Sequence, residues 1–180
     1  MCAIEYYTYE DYRKWEGDWE LIRGFPVAMA PSPVRTHQNL LAMFAYELNK
    51  NLLECNECEV LVEEDYIVED DTILRPDVSV VCDEKNDFIT KAPEIVVEVV
   101  SKSTAKRDEK IKFEIYEKEL VKYYILAYPD RLMAKVYKNI NAKFIKMGDY
   151  STQTLKLEEN LRCNVEINFD TIFKKLRRRK

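Results

Sequence analysis

The run Ile95-Val96-Val97-Glu98-Val99-Val100 constrains this chain more than any other segment. All but one of its residues are β-branched and aliphatic. A run of this kind reads as a strand buried on both faces, which demands a sheet covered by layers on either side. Alternate residues of a strand share a face, so Glu98 lies with Val96 and Val100. A carboxylate there is costly unless it is paired, protonated or bound to a metal.

The flanking segments supply the layers. Residues 8–15 read as a short helix capped by Thr8, with Glu10 and Asp11 in its first turn. Residues 19–23 and 25–30 read as two short strands turned at Gly24, and Pro31 and Pro33 follow as punctuation. Leu40, Leu41, Phe44, Ala45, Leu48 and Leu52 then recur at helical spacing, predicting a long amphipathic helix from 34 to about 53. Strands are predicted over 59–68, 73–82 and 93–100. A helix follows, capped by Ser103 or Thr104, with Ile111, Ile115 and Leu120 as its apolar stripe. Residues 122–128 form another strand, and the turn at 129–131 leads into 132–137 as a hairpin. Short strands at 144–147 and 154–157 and a closing helix over 168–178 complete the reading. The class is α/β or α+β, a mixed central sheet flanked by helices. At 180 residues the chain is read as one domain. Its core is placed at about 33–128, preceded by the helix and hairpin at 8–30 and followed by strands, a helix and a basic tail at 131–180.

Composition narrows the function classes. The chain is 47% hydrophobic with twelve tyrosines, which excludes a disordered segment. It lacks an apolar leader and any run near the roughly 20 residues that span a bilayer, so a cytoplasmic protein with no membrane partner is expected. Five cysteines is an odd count in a chain without an export signal, and a disulfide framework is not expected. Cys55 and Cys58 form a C-x-x-C, but Cys2, Cys82 and Cys163 show no second pair, so the motif reads as two ordinary thiols near a helix end. The net charge is −5, and six of the last seven residues, Lys174 to Lys180, are basic. That tail contacts phosphate or is simply a solvated helix end. The remainder of the chain is acidic and a poor general adhesive for nucleic acid.

Two carboxylates stand out. Glu98 interrupts an apolar face, and Asp77 opens a second apolar strand directly after Pro76, a tolerated position for proline. If the two strands are neighbours, both carboxylates meet at one end of the sheet. Two carboxylates, a carbonyl and waters suit Mg²⁺ or Mn²⁺, which can generate hydroxide and stabilise charge on a phosphate. The bland alternative is a salt-bridged Glu and an Asp in a turn. A nearby cation would assist the chemistry. Asp108, Lys112 and Tyr116 repeat at intervals of four on one helix face, with Lys106, Arg107 and Lys110 elsewhere on its surface. By spacing alone, Asp108 and Lys112 are as readily a solvated i,i+4 ion pair.

Pro76-Asp77 followed by Glu98-Val99-Val100 resembles the PD-(D/E)XK nuclease signature without its final Lys. The longer set resembles the Uma-type "putative restriction endonuclease" family. It comprises Glu98-Val99-Val100-Ser101-Lys102-Ser103-Thr104 with Asp108, Lys112 and Tyr116, then Trp19-Glu20-Leu21-Ile22-Arg23-Gly24, Pro31-Ser32-Pro33 with His37, and Tyr123-Tyr124-Ile125-Leu126. The likeness spans roughly residues 8–137. It implies a restriction-endonuclease-like fold with an α-β-β-β-α-β core, and a metal-dependent endonuclease acting on nucleic acid, with DNA as the expected substrate. It implies Asp77 and Glu98, with the Val99 carbonyl, as ligands of Mg²⁺ or Mn²⁺. Lys112 matches the catalytic Lys moved onto the helix, and Glu20 an acidic residue completing the site. His37, Ser101, Asp108 and Tyr116 match positions able to contact substrate. Lys102 and Leu120 depart from the family pattern, where Pro and Gly are common. A homodimer would suit cutting of both strands. A non-catalytic nucleic-acid-binding or assembly domain of the same fold stays open as the alternative.

Overall fold

Every residue of the 95–100 run is buried, and the protein is built around it. The computed structural model describes residues 5–29 and 34–178. The N-terminal part holds α1 (Tyr9–Tyr12), β1 (Trp19–Ile22), β2 (Phe25–Ala28) and α2 (Arg35–Leu52). Then come β3 (Cys58–Val62), β4 (Tyr66–Glu69), β5 (Thr72–Leu74), β6 (Val78–Cys82) and β7 (Ile95–Val99). A π-helical segment (Arg107–Lys112) runs straight into α3 (Phe113–Lys118). The chain continues through β8 (Tyr123–Tyr128), β9 (Met133–Asn139), β10 (Phe144–Tyr150), β11 (Thr154–Leu157), β12 (Val165–Asn168) and α4 (Phe169–Arg177).

The main sheet has the order β10-β9-β8-β7-β6-β3. Only β7 and β8 are parallel within it. A parallel pair needs a crossover, and the π-helix and α3 supply it. Alternation then divides the core. Ile95, Val97 and Val99 join Val78, Val80 and Ile125 under Leu40, Phe44 and Leu48 of α2 and Phe173 of α4. Val96, Val100, Tyr124 and Leu126 face Ile115 and Tyr116 on the other side, together with Ile22 and Leu74 of a second sheet, β2-β1-β5-β4. Phe44 is fully buried against Phe169, edge to face at 6.3 Å. Burying such a ring contributes roughly 1.5–3 kcal/mol. Glu98 points into the second layer, which carries the crossover helix and the N-terminal hairpin. No described helix is long and apolar enough to cross a membrane.

Several expectations need correction. The strand read over 59–68 is two, β3 and β4, in different sheets, because the chain turns at Glu63 with φ 51°. The strand read over 73–82 splits likewise into β5 and β6 around Arg75 and Pro76, so one apolar stretch serves both sheets. Leu120 is not part of the helix stripe. It lies past α3 at φ 62° and is 58% exposed, a left-handed helix stop that explains why glycine suits the position. The first helix is confined to residues 9–12, although Thr8 caps it as read, its N–H donating to Asp11 Oδ2 at 3.1 Å. β12 was not foreseen. Ala30, Pro31 and Pro33 lie outside the described residues, as does Cys2. The cysteines are not unpaired: the structure joins Cys55 to Cys163 and Cys58 to Cys82. The fold lays the β11–β12 connection against the start of β3, a proximity that spacing along the chain does not reveal.

Candidate active site

β6 and β7 set the first two site residues. They pair antiparallel with Val78 opposite Val97, and one further step in that register sets Asp77 opposite Glu98. Opposed residues share a face, so both carboxylates stand on one side of the sheet at its end. The Val99 N–H donates to Asp77 Oδ2 at 2.6 Å, which ties the start of β6 to the end of β7. His37, on the first turn of α2, places Nε2 3.2 Å from the same oxygen.

The crossover helix supplies the cation. Lys112 is 1% exposed. Its Nζ lies 2.6 Å from Glu20 Oε1 and 2.9 Å from Glu98 Oε1, and donates to the Arg75 carbonyl at 3.4 Å. The Tyr116 hydroxyl donates to Glu98 Oε1 at 3.0 Å, so that oxygen is held from two turns of one helix. Glu20 reaches Lys112 from the middle of β1 and is completely buried. Its Oε1 also accepts the Arg75 N–H at 2.9 Å. Arg107 Nε lies 3.3 Å from Glu20 Oε2 and 3.8 Å from Asp108 Oδ1. The contact with Glu20 is an ion pair without hydrogen-bond alignment, and both atoms lack a bonded partner. Asp108 is 2% exposed, and its carbonyl accepts from the Tyr124 hydroxyl at 3.0 Å.

These groups surround a cavity of about 270 Å³, lined among others by His37, Asp77, Glu98, Val99, Asp108 and Lys112. Ser101, Ser103 and Thr104 form part of its wall, where the Ser101 N–H donates to Thr104 Oγ1 at 3.0 Å and Thr104 N–H returns to Ser101 Oγ at 3.2 Å.

Four buried carboxylates (Glu20, Asp77, Glu98 and Asp108) thus lie around Lys112 and Arg107, and the Arg75 side chain, paired with Asp18 at 2.7 Å, is a third cation on the cavity wall. Burial pushes Glu98 well above the ordinary carboxylate range; Lys112 opposes this, while Asp77, Asp108 and Glu20 add to it. Asp108 is raised for the same first reason, burial. Burial also works against the Lys112 ammonium, but Glu20 and Glu98 outweigh it and hold the side chain charged. For His37, burial is outweighed by the hydrogen bond and field of Asp77, and its pKa is raised. A site with excess negative charge out of water attracts a proton or a cation.

The structure therefore brings Asp77, Glu98, Lys112, Glu20, His37, Asp108 and the Val99 backbone to one place. Ser101 lies at the wall. Tyr116 lies behind Glu98, fully buried and away from the cavity surface. The solvated Asp108–Lys112 pair is not what forms: both are buried, and Lys112 pairs with Glu20 and Glu98 instead. Arg107 was read as surface and is part of the network. Arg75 was missed as a site neighbour, since its contribution to Glu20 is a backbone N–H, which no side-chain pattern signals.

A mixed sheet with two adjacent strand carboxylates at one end, and a buried lysine delivered by the crossover helix, defines a restriction-endonuclease-like fold. The chain belongs to the Uma2 family, described as "Putative restriction endonuclease", which it matches over residues 5–170. It is similar in structure to a crystallised protein of Anabaena variabilis described as a putative nuclease belonging to DUF820. The TM-score is 0.74 at 15% identity, covering 94% of this chain and 98% of that one. No functionally curated protein matches.

Proposed function

We propose that the protein is a divalent-metal-dependent endonuclease that hydrolyses phosphodiester bonds in DNA. The observation that carries this reading is the excess of carboxylates (Asp18, Glu63, Asp77, Glu98 and Asp108) over lysine and arginine cations (Arg75, Arg107 and Lys112) lining one cavity. The donor set fits a hard cation. Asp77 Oδ1 and Glu98 Oε2 accept no hydrogen bond among the described residues, and both side chains line the cavity. Carboxylate and carbonyl oxygens are what Mg²⁺ and Mn²⁺ take. Asp77 and Glu98 would hold the ion with the Val99 carbonyl. When bound, it supplies hydroxide from water and stabilises charge on the phosphate.

The chain's own groups do the rest. Lys112, kept charged by Glu20 and Glu98, orients the attacking water and offsets charge developing on the phosphate. Tyr116 positions Glu98 from behind. His37 fixes Asp77 through one nitrogen, while its Nδ1 is buried without a partner. Ser101, at the wall, would contact a phosphate oxygen.

The test is plasmid cleavage with Mg²⁺ or Mn²⁺, comparing wild type with Asp77→Ala and Lys112→Met. Wild type is expected to nick supercoiled DNA. Each variant should lose on the order of 10²–10³-fold in rate, the usual cost of removing a preorganised charge at the reacting centre. A folded wild type that binds Mn²⁺ yet cuts neither DNA nor RNA, while binding DNA, would overturn catalysis in favour of a binding domain.

A further inference from the structure

The sequence presents one C-x-x-C and three isolated cysteines, and the fold brings two of these, Cys82 and Cys163, to the motif. Cys55 follows the C-terminus of α2, Cys58 opens β3, Cys82 ends β6, and Cys163 lies in the connection between β11 and β12. Cys58 and Cys82 are opposed in the β3–β6 ladder. The sulfurs of Cys55, Cys58 and Cys163 lie within 4.8 Å of one another, and Cys82 lies with Cys58 and Glu94 in a second such group, so that Cys58 joins the two. All four residues are partly buried against the core beneath α2.

We propose that, in the reduced protein, these four thiols form a zinc site that clamps the end of the molecule remote from the carboxylates. Two observations lead there. First, the spacing Cys55-x-x-Cys58 is that of paired ligands at a structural zinc, which binds four thiolates as a tetrahedron. Second, Cys58 Sγ lies 3.8 Å from Cys163 Sγ, a sulfur to which it is not bonded. A tetrahedron with Zn–S of about 2.3 Å has edges of about 3.8 Å. Two independent bridges have no reason to meet, whereas ligands of one ion must.

The exchange balances. Two equivalents of a dithiol reductant each give two hydrogens to one bridge and become disulfides themselves, leaving four thiols. Zn²⁺ then displaces four protons, and the filled site carries two negative charges. Glu94 approaches Cys58 and Cys82, but it is committed elsewhere. Its Oε1 accepts from Lys122 at 2.6 Å and its Oε2 from the Arg162 N–H at 3.0 Å. Arg162 lies between Asp83 and Glu57, at 2.8 and 4.0 Å, and pins the segment carrying Cys163. The cluster stands apart from the carboxylates. Asp77 precedes β6 and Cys82 ends it; His37 lies near the start of α2 and Cys55 just past its end. Five residues of strand, at about 3.3 Å each, set the two roughly 17 Å apart.

The experiment is titration of the reduced, metal-free full-length protein with Co²⁺ as a spectroscopic stand-in for Zn²⁺. One equivalent should produce thiolate-to-cobalt charge-transfer absorption and tetrahedral d–d bands, and Zn²⁺ should abolish both. Cobalt held by the carboxylate site gives no sulfur charge transfer, so the two sites are read separately. Of the five thiols in the reduced chain, four should lose their rapid reactivity when Zn²⁺ is bound. Cys2→Ser should keep the signal, while Cys163→Ser and Cys82→Ser should weaken it at least tenfold in affinity. Because those two variants can misfold, the wild type decides. A reduced wild type that keeps its native circular dichroism but shows no sulfur charge transfer overturns the proposal. So does one that loses its fold on reduction and does not recover it with Zn²⁺, since the sulfurs then serve only as bridges.

Discussion

Replacing Lys112 by Met probes the centre of the network with one near-isosteric change. The ammonium lies 2.6 Å from Glu20 Oε1 and 2.9 Å from Glu98 Oε1. At an effective dielectric constant of about 20, each contact represents roughly 6 kcal/mol of attraction. Removing the charge forfeits both, about 12 kcal/mol, but recovers the several kcal/mol spent in burying the ammonium. It also lets Glu98 relax by taking up a proton, toward which burial already pushes it. The net cost is expected to fall in the range of about 3–5 kcal/mol found when one partner of a buried pair is removed. In a chain of this size that corresponds to a fall of roughly 6–20 °C in Tm. The assay is guanidinium and thermal unfolding, followed by circular dichroism and by Trp15 and Trp19 fluorescence, with a chelator present so that no cation replaces the missing charge. Lys112→Met combined with Glu98→Gln removes one stranded carboxylate and should recover about 0.5–3 kcal/mol. A cost below about 1 kcal/mol for Lys112→Met, or a double variant less stable than the single one, would refute the account of Lys112 as the charge that holds these carboxylates together.

Two further predictions concern Glu84 and Gly24. Burial tends to raise the Glu84 pKa, but the N–H groups of Thr90, Asn86 and Lys85 outweigh it and pull the carboxyl down to about 2. A depressed acid stabilises the fold above its ordinary pKa of 4.5 and loses that contribution as pH falls toward 2. Glu84→Gln should therefore be less stable than wild type in urea at pH 7 and equal to it near pH 2; a difference independent of pH would refute the carboxylate as its source. Gly24 turns the hairpin that carries Glu20, with φ 77°, and an added Cβ would meet the Tyr6 ring at 2.3 Å. Gly24→Ala should cost at least the roughly 1–2 kcal/mol of a left-handed non-glycine residue, measured by urea unfolding. A loss under a few tenths of a kcal/mol would refute the turn geometry.

The features legible in the sequence are those with a local period. The aliphatic run at 95–100 required a strand covered on both faces, and its alternation set Glu98 on one of them. The spacing from Leu40 to Leu52 gave α2 within one or two residues. Asp77 and Glu98 were legible because each breaks an apolar pattern. What was illegible depends on pairings distant in sequence. Nothing in 73–82 marks the point at which the chain leaves one sheet for another, since Ile73 and Val80 are equally apolar. Glu20 is one acid among 33 acidic residues until β1 packs beside the crossover helix. Arg107 looked like one more basic residue on a helix surface. The cysteines show the same limit most clearly: Cys55 and Cys163 are 108 residues apart, and no spacing rule joins them.

The helix that carries Lys112 shows why spacing alone misjudged its face. In an α-helix, four residues overshoot a full turn by about 40°, so Asp108, Lys112 and Tyr116 would drift steadily around the axis. Only part of such a row would face the sheet, and the solvated ion pair would follow. Residues 107–112 are instead π-helical, closing i→i+5, so four residues there fall short of a turn. From Lys112 to Tyr116 the chain is α-helical and overshoots again. The two drifts oppose each other, and Asp108, Lys112 and Tyr116 all turn inward, each buried to within 2% exposure. The wide turn thereby lets one helix deliver a lysine and a tyrosine to the same oxygen of Glu98, at 2.9 and 3.0 Å. The contact of Lys112 with Glu98 thus depends on a local departure from α geometry. Such departures are concentrated at functional sites, and here the departure falls on the turn that carries the site's central charge.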